Sequence, residues 1–484
     1  MTISIISVLT AATFVLNIFL AAALVFLERR DASSTWAWLL VLFFIPIFGF
    51  FVYLLLGRQL RKKTLFKWEG RKKIGIDSLI KHQLHALDED DFHFRDDNAH
   101  DYKDLVYLHL RNNGAVLTQD NAVQIFNDGR QKFDALIADM EQAKDHIHIQ
   151  YYIFRLDGLG TRLLKTLTAK AKQGVKVRLL YDDMGSRRLS KRHFKEFIDA
   201  GGEVETFFPS ILPIINPRLN YRNHRKIVVI DGRVGYVGGF NVGDEYIGLS
   251  RKFGYWRDTH LRVEGSAVHP LQTRFILDWN QASARHDIEY DEIFFPAIPE
   301  KGKTTMQIVS SGPDEEWEQI KDGYLKLINM AKESIYIQTP YFIPDASFYD
   351  AIRIAALSGI DVRVMIPNKP DHPFVYWATY SYAGQLLKAG ARVYIYDNGF
   401  IHTKMIVIDG KASTVGTANI DVRSFKLNFE INAFIYDEKV SSDLAELFHQ
   451  DVELSTELTV DIYLSRTKMI KTKESIARLL APIL

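Results

Sequence analysis

Histidine, one residue, lysine, four residues and aspartate occur in that order twice in this chain, at His224, Lys226 and Asp231 and at His402, Lys404 and Asp409. Each copy continues into Gly-x-x-Asn, Gly238 to Asn241 (GGFN) in the first and Gly416 to Asn419 (GTAN) in the second. A single match could arise by chance, but two with the same downstream glycine and asparagine are a strong signal. Alternation along a strand puts His224, Lys226 and Val228 on one face, and likewise His402, Lys404 and Ile406, so imidazole and ammonium point the same way. The run IVVIDG or MIVIDG then turns at Asp231-Gly232 or Asp409-Gly410, and a second strand brings the asparagine back. Each hairpin therefore offers a nitrogen nucleophile or acid, a cation and an amide donor. That set suits a phosphate diester, whose equatorial oxygens need positive charge and N–H donors while its apical positions need a nucleophile and an acid.

These two elements resemble the paired motifs of the phospholipase D superfamily, and the chain from its N-terminal apolar pair to its last residues resembles the bacterial cardiolipin synthases of that superfamily. The resemblance implies that His224, Lys226, Asp231, His402, Lys404 and Asp409 form the catalytic set, with His224 as nucleophile and His402 as acid. It implies that Asn241, Asn419 and Thr417 support the phosphate. It further implies that a carboxylate roughly thirty residues after each histidine, Asp258 and Glu430, orients and charges the imidazole, a role in which an acceptor on one ring nitrogen fixes the tautomer. Asp244 and Glu245 lie nearer to the first motif and compete with Asp258. The family's usual Gly-Ser-x-Asn is absent in both copies. Gly238-Gly239 has no hydroxyl and Gly416-Thr417 keeps one, so the two half-sites are expected to be chemically unequal.

The elements that would carry the motifs alternate between strand and helix from Val123 onward: strands to Phe126, at His146–Phe154, Val175–Asp182 and Val204–Phe208, and helices at Gly129–Lys144, Gly160–Lys172 and Leu189–Ala200. The order recurs after Glu300. HIQYYIF at 148–154 matches YIQTPYFI at 336–343, GVKVRLL at 174–180 matches GIDVRVM at 359–365, and AGGEV at 200–204 matches AGARV at 389–393. An internal repeat of an α/β unit predicts two halves packed face to face, since in-line displacement at phosphorus needs one group on each side of it. The expected fold is thus α/β, a duplicated phospholipase D-type sandwich forming a pseudo-dimer, preceded by a two-helix transmembrane hairpin. The expected divisions are 1–57 for the hairpin, 58–115 for a basic juxtamembrane segment and linker, 116–299 for the first repeat and 300–484 for the second with its tail.

The hairpin follows from two uncharged apolar runs, Ile5 to Leu27 and Ala37 to Leu56, each long enough to cross a bilayer core, with a loop too short for anything but a reversal. The loop carries Arg29 and Arg30, whereas Arg58, Arg61, Lys62, Lys63, Lys67, Arg71, Lys72 and Lys73 follow the second run, so the catalytic part is expected on the cytoplasmic side of a bacterial cell membrane. In the 484 residues, 60 Lys plus Arg balance 59 Asp plus Glu, which gives no basic field for nucleic acid. The absence of cysteine excludes disulfides, thiolate metal sites and a cysteine nucleophile. His146 and His148 sit at a spacing that could ligate a metal, but without a carboxylate cluster nearby a polar strand face is the expectation, and no metal or cofactor is assigned. Gly158-Leu-Gly-Thr-Arg lacks the Gly-Lys-Ser/Thr ending of a phosphate loop and reads as a helix start.

As the resemblance implies, the expected activity joins two phosphatidylglycerols into cardiolipin with release of glycerol through a phosphohistidyl intermediate. The expected partners are phosphatidylglycerol and membrane lipids, with no nucleic acid. A membrane-bound phospholipase D that hydrolyses lipids, or a membrane-tethered nuclease, would use the same residues with a different acceptor or substrate. A catalytically inactive scaffold would not need both motifs. The apolar, proline-rich loop FFPSILPIINPR at 207–218 is expected to touch the bilayer through Ile211, Leu212, Ile214 and Ile215.

Overall fold

The computed structural model describes residues 5–26, 32–53, 66, 73–209, 220–283, 286–369, 371 and 373–480. Residues 210–219 of the loop expected to touch the bilayer, most of the basic cluster and the last four residues lie outside the described residues.

The first half carries β1 (Thr118–Asp128), β2 (His146–Tyr151), β3 (Lys176–Asp182), β4 (Glu203–Phe207), β5 (Arg222–Asn223), β6 (Ile227–Ile230), β7 (Val234–Gly238) and β8 (Trp256–Glu264). The second half carries β9 (Thr304–Ser311), β10 (Ser334–Gln338), β11 (Phe342–Ile343), β12 (Asp361–Pro367), β13 (Arg392–Tyr396), β14 (Phe400–Ile401), β15 (Met405–Ile408), β16 (Ala412–Gly416), β17 (Ile420–Asp421), β18 (Asn428–Ile435) and β19 (Ser455–Leu458). Pairing gives the first sheet the order β4-β3-β2-β6-β7-β8-β1. The second has the matching order β13-β12-β10-β15-β16-β18-β9, with β19 added outside β13. In both, three neighbouring strands, β4-β3-β2 and β13-β12-β10, are parallel and joined by helical crossovers, while the hairpin that bears the motif is antiparallel.

The halves are stitched by hydrogen bonds. β1 pairs with β9. Each sheet also accepts a two-residue strand from the other half, β14 beside β8 and β5 beside β18. Those two short strands lie immediately ahead of His402 and His224, so each histidine is delivered at a seam. The central strands are buried on both faces, and Val, Ile and Leu fill them accordingly. One core cluster, containing Ile227, Val237, Leu261, Val407, Phe429 and Ile431, draws on both halves and is the layer between the sheets.

Residues 76–113, where a linker or a loosely packed helical segment is expected, are largely helical. They form the helices Ile76–Asp88, Asp97–Asp101 and Lys103–Asn113. Leu105, Val106 and Leu110 are fully buried in the second half's core. The reason is visible in the pattern: Leu105, Val106, His109 and Leu110 fall on one helical face. Gln307 on β9 fixes that helix by donating to the carbonyls of Val106 (3.2 Å) and Ala115 (2.7 Å).

At the N-terminus lie α1 (Ile5–Phe26), α2 (Ala32–Phe44) and α3 (Pro46–Val52). The second apolar run is therefore two helices, broken at Ile45 because Pro46 supplies no N–H and starts a new helix. Among the described residues no helix is long and apolar enough to cross a membrane. The three helices pack on each other through Leu24, Leu42 and Tyr53, and Asn17 donates to the Leu42 carbonyl at 3.1 Å.

Candidate active site

His224 and His402 each occupy the step between a short seam strand and the long hairpin strand, β5 to β6 and β14 to β15. Backbone bonds across the seam fix both. The His224 N–H donates to the Phe429 carbonyl (2.9 Å) and the His402 N–H to that of Arg257 (2.7 Å). Phe429 and Arg257 directly precede Glu430 and Asp258. The same contact that places each histidine therefore places the carboxylate that meets it.

The carboxylates cross over. His224 Nδ1 lies 3.0 Å from Glu430 Oε1 and 2.9 Å from Oε2, and His402 Nδ1 lies 2.7 Å from Asp258 Oδ2. Each imidazole is thus oriented by the other half's acid, which proximity in sequence to its own half's histidine does not reveal. With Nδ1–H given to a carboxylate, Nε2 of each ring is left for chemistry. Asp244 and Glu245 are elsewhere engaged: Asp244 accepts from the N–H groups of Gly158 and Leu159 (3.2 and 2.8 Å), and Glu245 pairs with Arg155 at 2.9 Å.

The lysines sit beside the histidines with fully buried stems. Lys226 Nζ donates to the His224 carbonyl at 2.6 Å, and Lys404 Nζ to that of His402. Lys404 Nζ also comes within 2.8 Å of His402 Nδ1. That nitrogen serves Asp258 as a donor, so the lysine proton goes to the carbonyl. The charges sense one another across the seam, Lys404 acting on His224 and Lys226 on His402, so the two motifs form one site.

Burial dominates the electrostatics. It pulls both imidazoles down to about 4, against the opposing pull of Glu430 on His224 and of Asp258 on His402, where Lys404 adds to the depression. Burial lowers Lys404 to about 8 and Lys226 well below the ordinary lysine range. Burial would raise both carboxyls, but neighbouring charges and donors outweigh it. His224, Lys226 and Thr417 hold Glu430 below the usual range, and Lys404, His402 and the Thr259 N–H do the same for Asp258. The site thus holds two neutral rings and two ionised acids, and an arriving phosphodiester anion would favour protonating a ring.

The inequality of the half-sites has a steric cause. Thr417 Oγ1 donates to Glu430 Oε2 at 2.6 Å, and Asn428 Nδ2 donates to Oε1 at 3.1 Å. At the equivalent position in the first half, a Cβ on Gly239 would lie 1.9 Å from Asp258 Oδ1. Aspartate is one methylene shorter than glutamate, and its carboxylate occupies the space of the missing side chain. Gly239 with Asp258 and Thr417 with Glu430 are two solutions to one geometric demand.

Asp231 and Asp409, expected in the catalytic set, are not at the site. Each sits at the hairpin turn with φ 52°. The Asp231 carboxylate accepts from the N–H groups of Lys144, Asp145 and His146 (2.8, 2.8 and 2.9 Å). Asp409 accepts from those of Lys332, Glu333 and Ser334 (2.9, 2.8 and 2.8 Å). Their place in the spacing reflects strand length: four residues after the lysine the strand has carried the chain to its far end, where an acid staples the turn to the start of the central strand.

Asn241 and Asn419 lie on the returning segments and are buried. Asn241 Oδ1 accepts from the Ile153 N–H at 3.1 Å. Asn419 Oδ1 has no hydrogen-bond partner among the described residues. His146 and His148 face the helix Val268–Ala282. Gln272 links them, 3.2 Å from His146 Nε2 and 2.7 Å from His148 Nδ1, and His148 stacks on Phe275. They form a polar face of β2 that is buried under that helix. Among the described residues no group of three or more His, Cys, Asp or Glu could hold a metal ion.

Sequence reasoning missed the buried ion pairs behind the site. Arg225 meets Asp278 at 2.7 Å and also donates to the carbonyls of Glu430 (3.0 Å) and Ser311 (2.9 Å) in the other half. Arg257 meets Asp451 at 2.8 Å across the seam. Gln150 and Gln338 donate to the same two aspartates, at 2.7 and 2.8 Å. The signal was present in the repeat: the glutamines occupy equivalent positions, and each half places an aspartate late in the helix that follows its returning strand.

Comparison with known proteins agrees with this geometry. The family described as "Cardiolipin synthase, PLD-like domain" matches residues 136–256 and 324–452, one stretch per half. That described as "Phospholipase_D-nuclease N-terminal" matches residues 15–58. The chain is 62% identical over 481 residues to the major cardiolipin synthase ClsA of Bacillus subtilis (strain 168), covering 99% of this chain and 100% of that protein. It is 60% identical over 470 residues to the cardiolipin synthase of Listeria innocua serovar 6a, covering 97% and 98%. The crystal structure of phosphatidylserine synthase from Haemophilus influenzae Rd KW20 has the same fold, with a TM-score of 0.61 at 14% identity over 80% of this chain and 100% of that one. Two matched halves and about 60% identity to curated relatives over nearly the whole chain lead to one conclusion: the chain belongs to the cardiolipin synthase family of the phospholipase D superfamily.

Proposed function

We propose that this protein is a membrane-bound transphosphatidylase that converts two phosphatidylglycerols into cardiolipin and glycerol. The observation that carries the reading is the pair of histidines, each with Nδ1 held by a buried carboxylate of the opposite half and Nε2 free, sharing one cationic pocket. Neutral His224 attacks phosphorus as the P–O bond to the glycerol headgroup breaks, and protonated His402 gives its proton to the departing oxygen. His402, now neutral, takes the proton of a second phosphatidylglycerol hydroxyl, whose oxygen attacks phosphorus as the P–N bond breaks. Lys226, Lys404, Asn241 and Asn419 hold the phosphoryl oxygens, with Thr417 acting through Glu430. One diester is exchanged for another, so the scheme draws on no nucleotide.

The membrane hairpin belongs to the same proposal. Its support is the uncharged character of residues 5–27 and 37–56 and the row of large apolar side chains that α1 to α3 leave exposed, Phe14, Phe19, Phe26, Trp36, Phe43, Phe44, Phe48 and Phe51 among them. Such a surface is costly in water and suited to lipid. The test is product analysis with purified full-length protein on phosphatidylglycerol vesicles. Cardiolipin and glycerol should appear in equal amounts, EDTA should leave the rate unchanged, and His224→Ala and His402→Ala should each remove nearly all turnover. Quenching with labelled lipid should leave phosphate on His224. Phosphatidic acid as the sole product would replace this reading with a hydrolase.

A further inference from the structure

The helix Lys468–Leu480 packs on the helix Pro373–Leu386 with its larger apolar side chains turned outward. At 3.6 residues per turn its side chains fall into two rows. The inward row is Ile470, Glu474 and Ala477, of which Glu474 and Ala477 are buried. The outward row is Met469, Thr472, Ile476 and Leu479, where Met469, Ile476 and Leu479 are 65%, 48% and 81% exposed. The side turned toward the protein thus holds a carboxylate, and the side turned away holds the apolar bulk. Arg466 neutralises Glu474, its guanidinium nitrogens 2.7 and 3.1 Å from the two carboxylate oxygens.

Cations accompany the outward row. Lys468 and Lys473 flank it on its two sides, Lys471 and Arg478 follow further round the helix, and all four are exposed. Lys473 Nζ lies 5.4 Å from the centre of the Trp377 ring and the Arg478 guanidinium carbon 5.0 Å from that of Tyr382, along the joint between the two helices. The helix's one acid is the buried Glu474, so no exposed carboxylate on it offsets them. Over the whole chain 60 basic residues balance 59 acidic ones, so the excess belongs to this helix and not to the composition. The helix also stands close behind the site. Ala477 packs with Ala378 and with Ile343 of β11, and β11 pairs with β17, which begins at the residue after Asn419. The Phe342 N–H donates to Thr379 Oγ1 at 3.1 Å, tying the neighbouring helix to the same strand.

We propose that the outward face of the helix Lys468–Leu480 docks on the surface of a bilayer containing anionic lipid, with Met469, Ile476 and Leu479 entering the headgroup boundary and Lys468 and Lys473 meeting phosphate groups on either side. The proposal rests on the transphosphatidylase reading above for one point, that the substrates are lipids of that bilayer. A helix with an exposed apolar row edged by lysines suits the interface, where apolar burial and attraction to anionic headgroups act together. A second copy of the chain is a poorer occupant, since a two-fold contact would set the same cations against one another. Docked in this way, the helix holds the β11–β17 edge of the site against the layer from which both phosphatidylglycerols are drawn.

The chain has no cysteine, so a single introduced one carries a reporter without interference. The whole chain is labelled with a fluorophore at Met469→Cys, at Ile476→Cys or, as a reference, at Lys439→Cys on the helix Glu438–Glu453, where the side chain is exposed. Each protein is reconstituted into phosphatidylcholine vesicles with and without phosphatidylglycerol. Quenching by a nitroxide-bearing lipid reports contact with the bilayer, and quenching by acrylamide reports contact with water. With phosphatidylglycerol present, the labels at Met469 and Ile476 should be quenched by the lipid about threefold more than the label at Lys439, and less by acrylamide. Lys468→Gln with Lys473→Gln should remove much of that difference. Ile476→Ser with Leu479→Ser should slow turnover on vesicles by about tenfold and leave turnover of detergent-dispersed phosphatidylglycerol within about twofold, a split that a folding defect does not produce. Labels at Met469 and Ile476 no more quenched by lipid than that at Lys439, or shielded equally with and without phosphatidylglycerol, would overturn the docking surface. Shielding that grows with protein density and ignores the lipid would assign the face to a second copy and overturn it as well. Phosphatidic acid in place of cardiolipin would overturn the proposed function, while the labels would still decide the surface.

Discussion

Replacing Glu430 with Gln should disable the histidine of the other half. In the structure both Glu430 oxygens lie within 3.0 Å of His224 Nδ1, and the carboxylate is fully buried. For charge centres about 4 Å apart in an effective dielectric of about 20, the attraction between the carboxylate and a positively charged His224 is about 4 kcal/mol. His224 becomes positive when its Nε2 is bonded to phosphorus, so that stabilisation is present in the transition state and absent from the resting neutral ring. Its loss should slow turnover by about 10²- to 10³-fold, less than the full Coulomb figure because Gln can still accept a hydrogen bond. The amide can also donate, so the Nδ1–H tautomer of His224 is no longer enforced. The assay pairs steady-state turnover with ¹⁵N NMR of the histidine rings in a His402→Ala background, where His224 reports alone on this site. Glu430→Gln should mix the tautomers of His224, and Asp258→Asn should leave them unchanged. If the His224 tautomer instead responded to Asp258→Asn and ignored Glu430→Gln, the crossed arrangement would be wrong.

Gly239→Ala should cost about tenfold or more in turnover, because the added Cβ would lie 1.9 Å from Asp258 Oδ1 and push it off His402; Gly239→Ser, although it restores the family's usual residue, should fare no better in the same vesicle assay. Asp231→Asn and Asp409→Asn should lower stability by about 1 to 3 kcal/mol through weakened bonds to three N–H groups each, with turnover per folded molecule retained; denaturant titration alongside turnover separates the two. Buried His109, His146, His224 and His402 are held neutral, at about 3, 4, 4 and 4. Unfolded, each titrates near 6.5, so between pH of about 6.5 and 4 the unfolded chain binds more protons and stability falls as pH falls, by about 1.4 kcal/mol per unit for each histidine. An acid-unfolding series should show that slope, and His109→Leu, which removes two ring nitrogens lacking partners among the described residues, should reduce it by one histidine's share.

Much of this was legible in the chain because the chemistry rides on short periods. Alternation alone put His224 with Lys226 and His402 with Lys404, and the repeat of strand-helix order anticipated two sheets with matching topology. Local spacing cannot, however, report what crosses a seam. Glu430 and Asp258 were recognisable as acids in the right region, but which imidazole each meets depends on β5 entering the second sheet and β14 the first. Asp231 and Asp409 show the opposite failure, since a fixed distance from a catalytic lysine reflected the length of a strand. Residues 76–88 and 97–113 read as polar because their apolar positions are sparse, yet those few are the ones that reach the second half's core. The pairing of Gly239 with Asp258 was invisible because its cause is one methylene of side-chain length.

The exchange of carboxylates between halves also constrains how such a chain could have arisen. A lone half contains a histidine whose Nδ1 partner is missing and an acid with nothing to orient, so it has no complete reaction centre to be selected for. The ancestral unit must already have worked as a pair of copies, and joining them in one polypeptide preserved a site that existed beforehand. Identical copies would have been bound to identical acids and identical neighbours, because any change in one appears in both. Only after fusion could Gly239 with Asp258 and Thr417 with Glu430 diverge. Covalent linkage thereby gave each histidine its own surroundings to specialise in, and it made the dependence of each half on the other permanent.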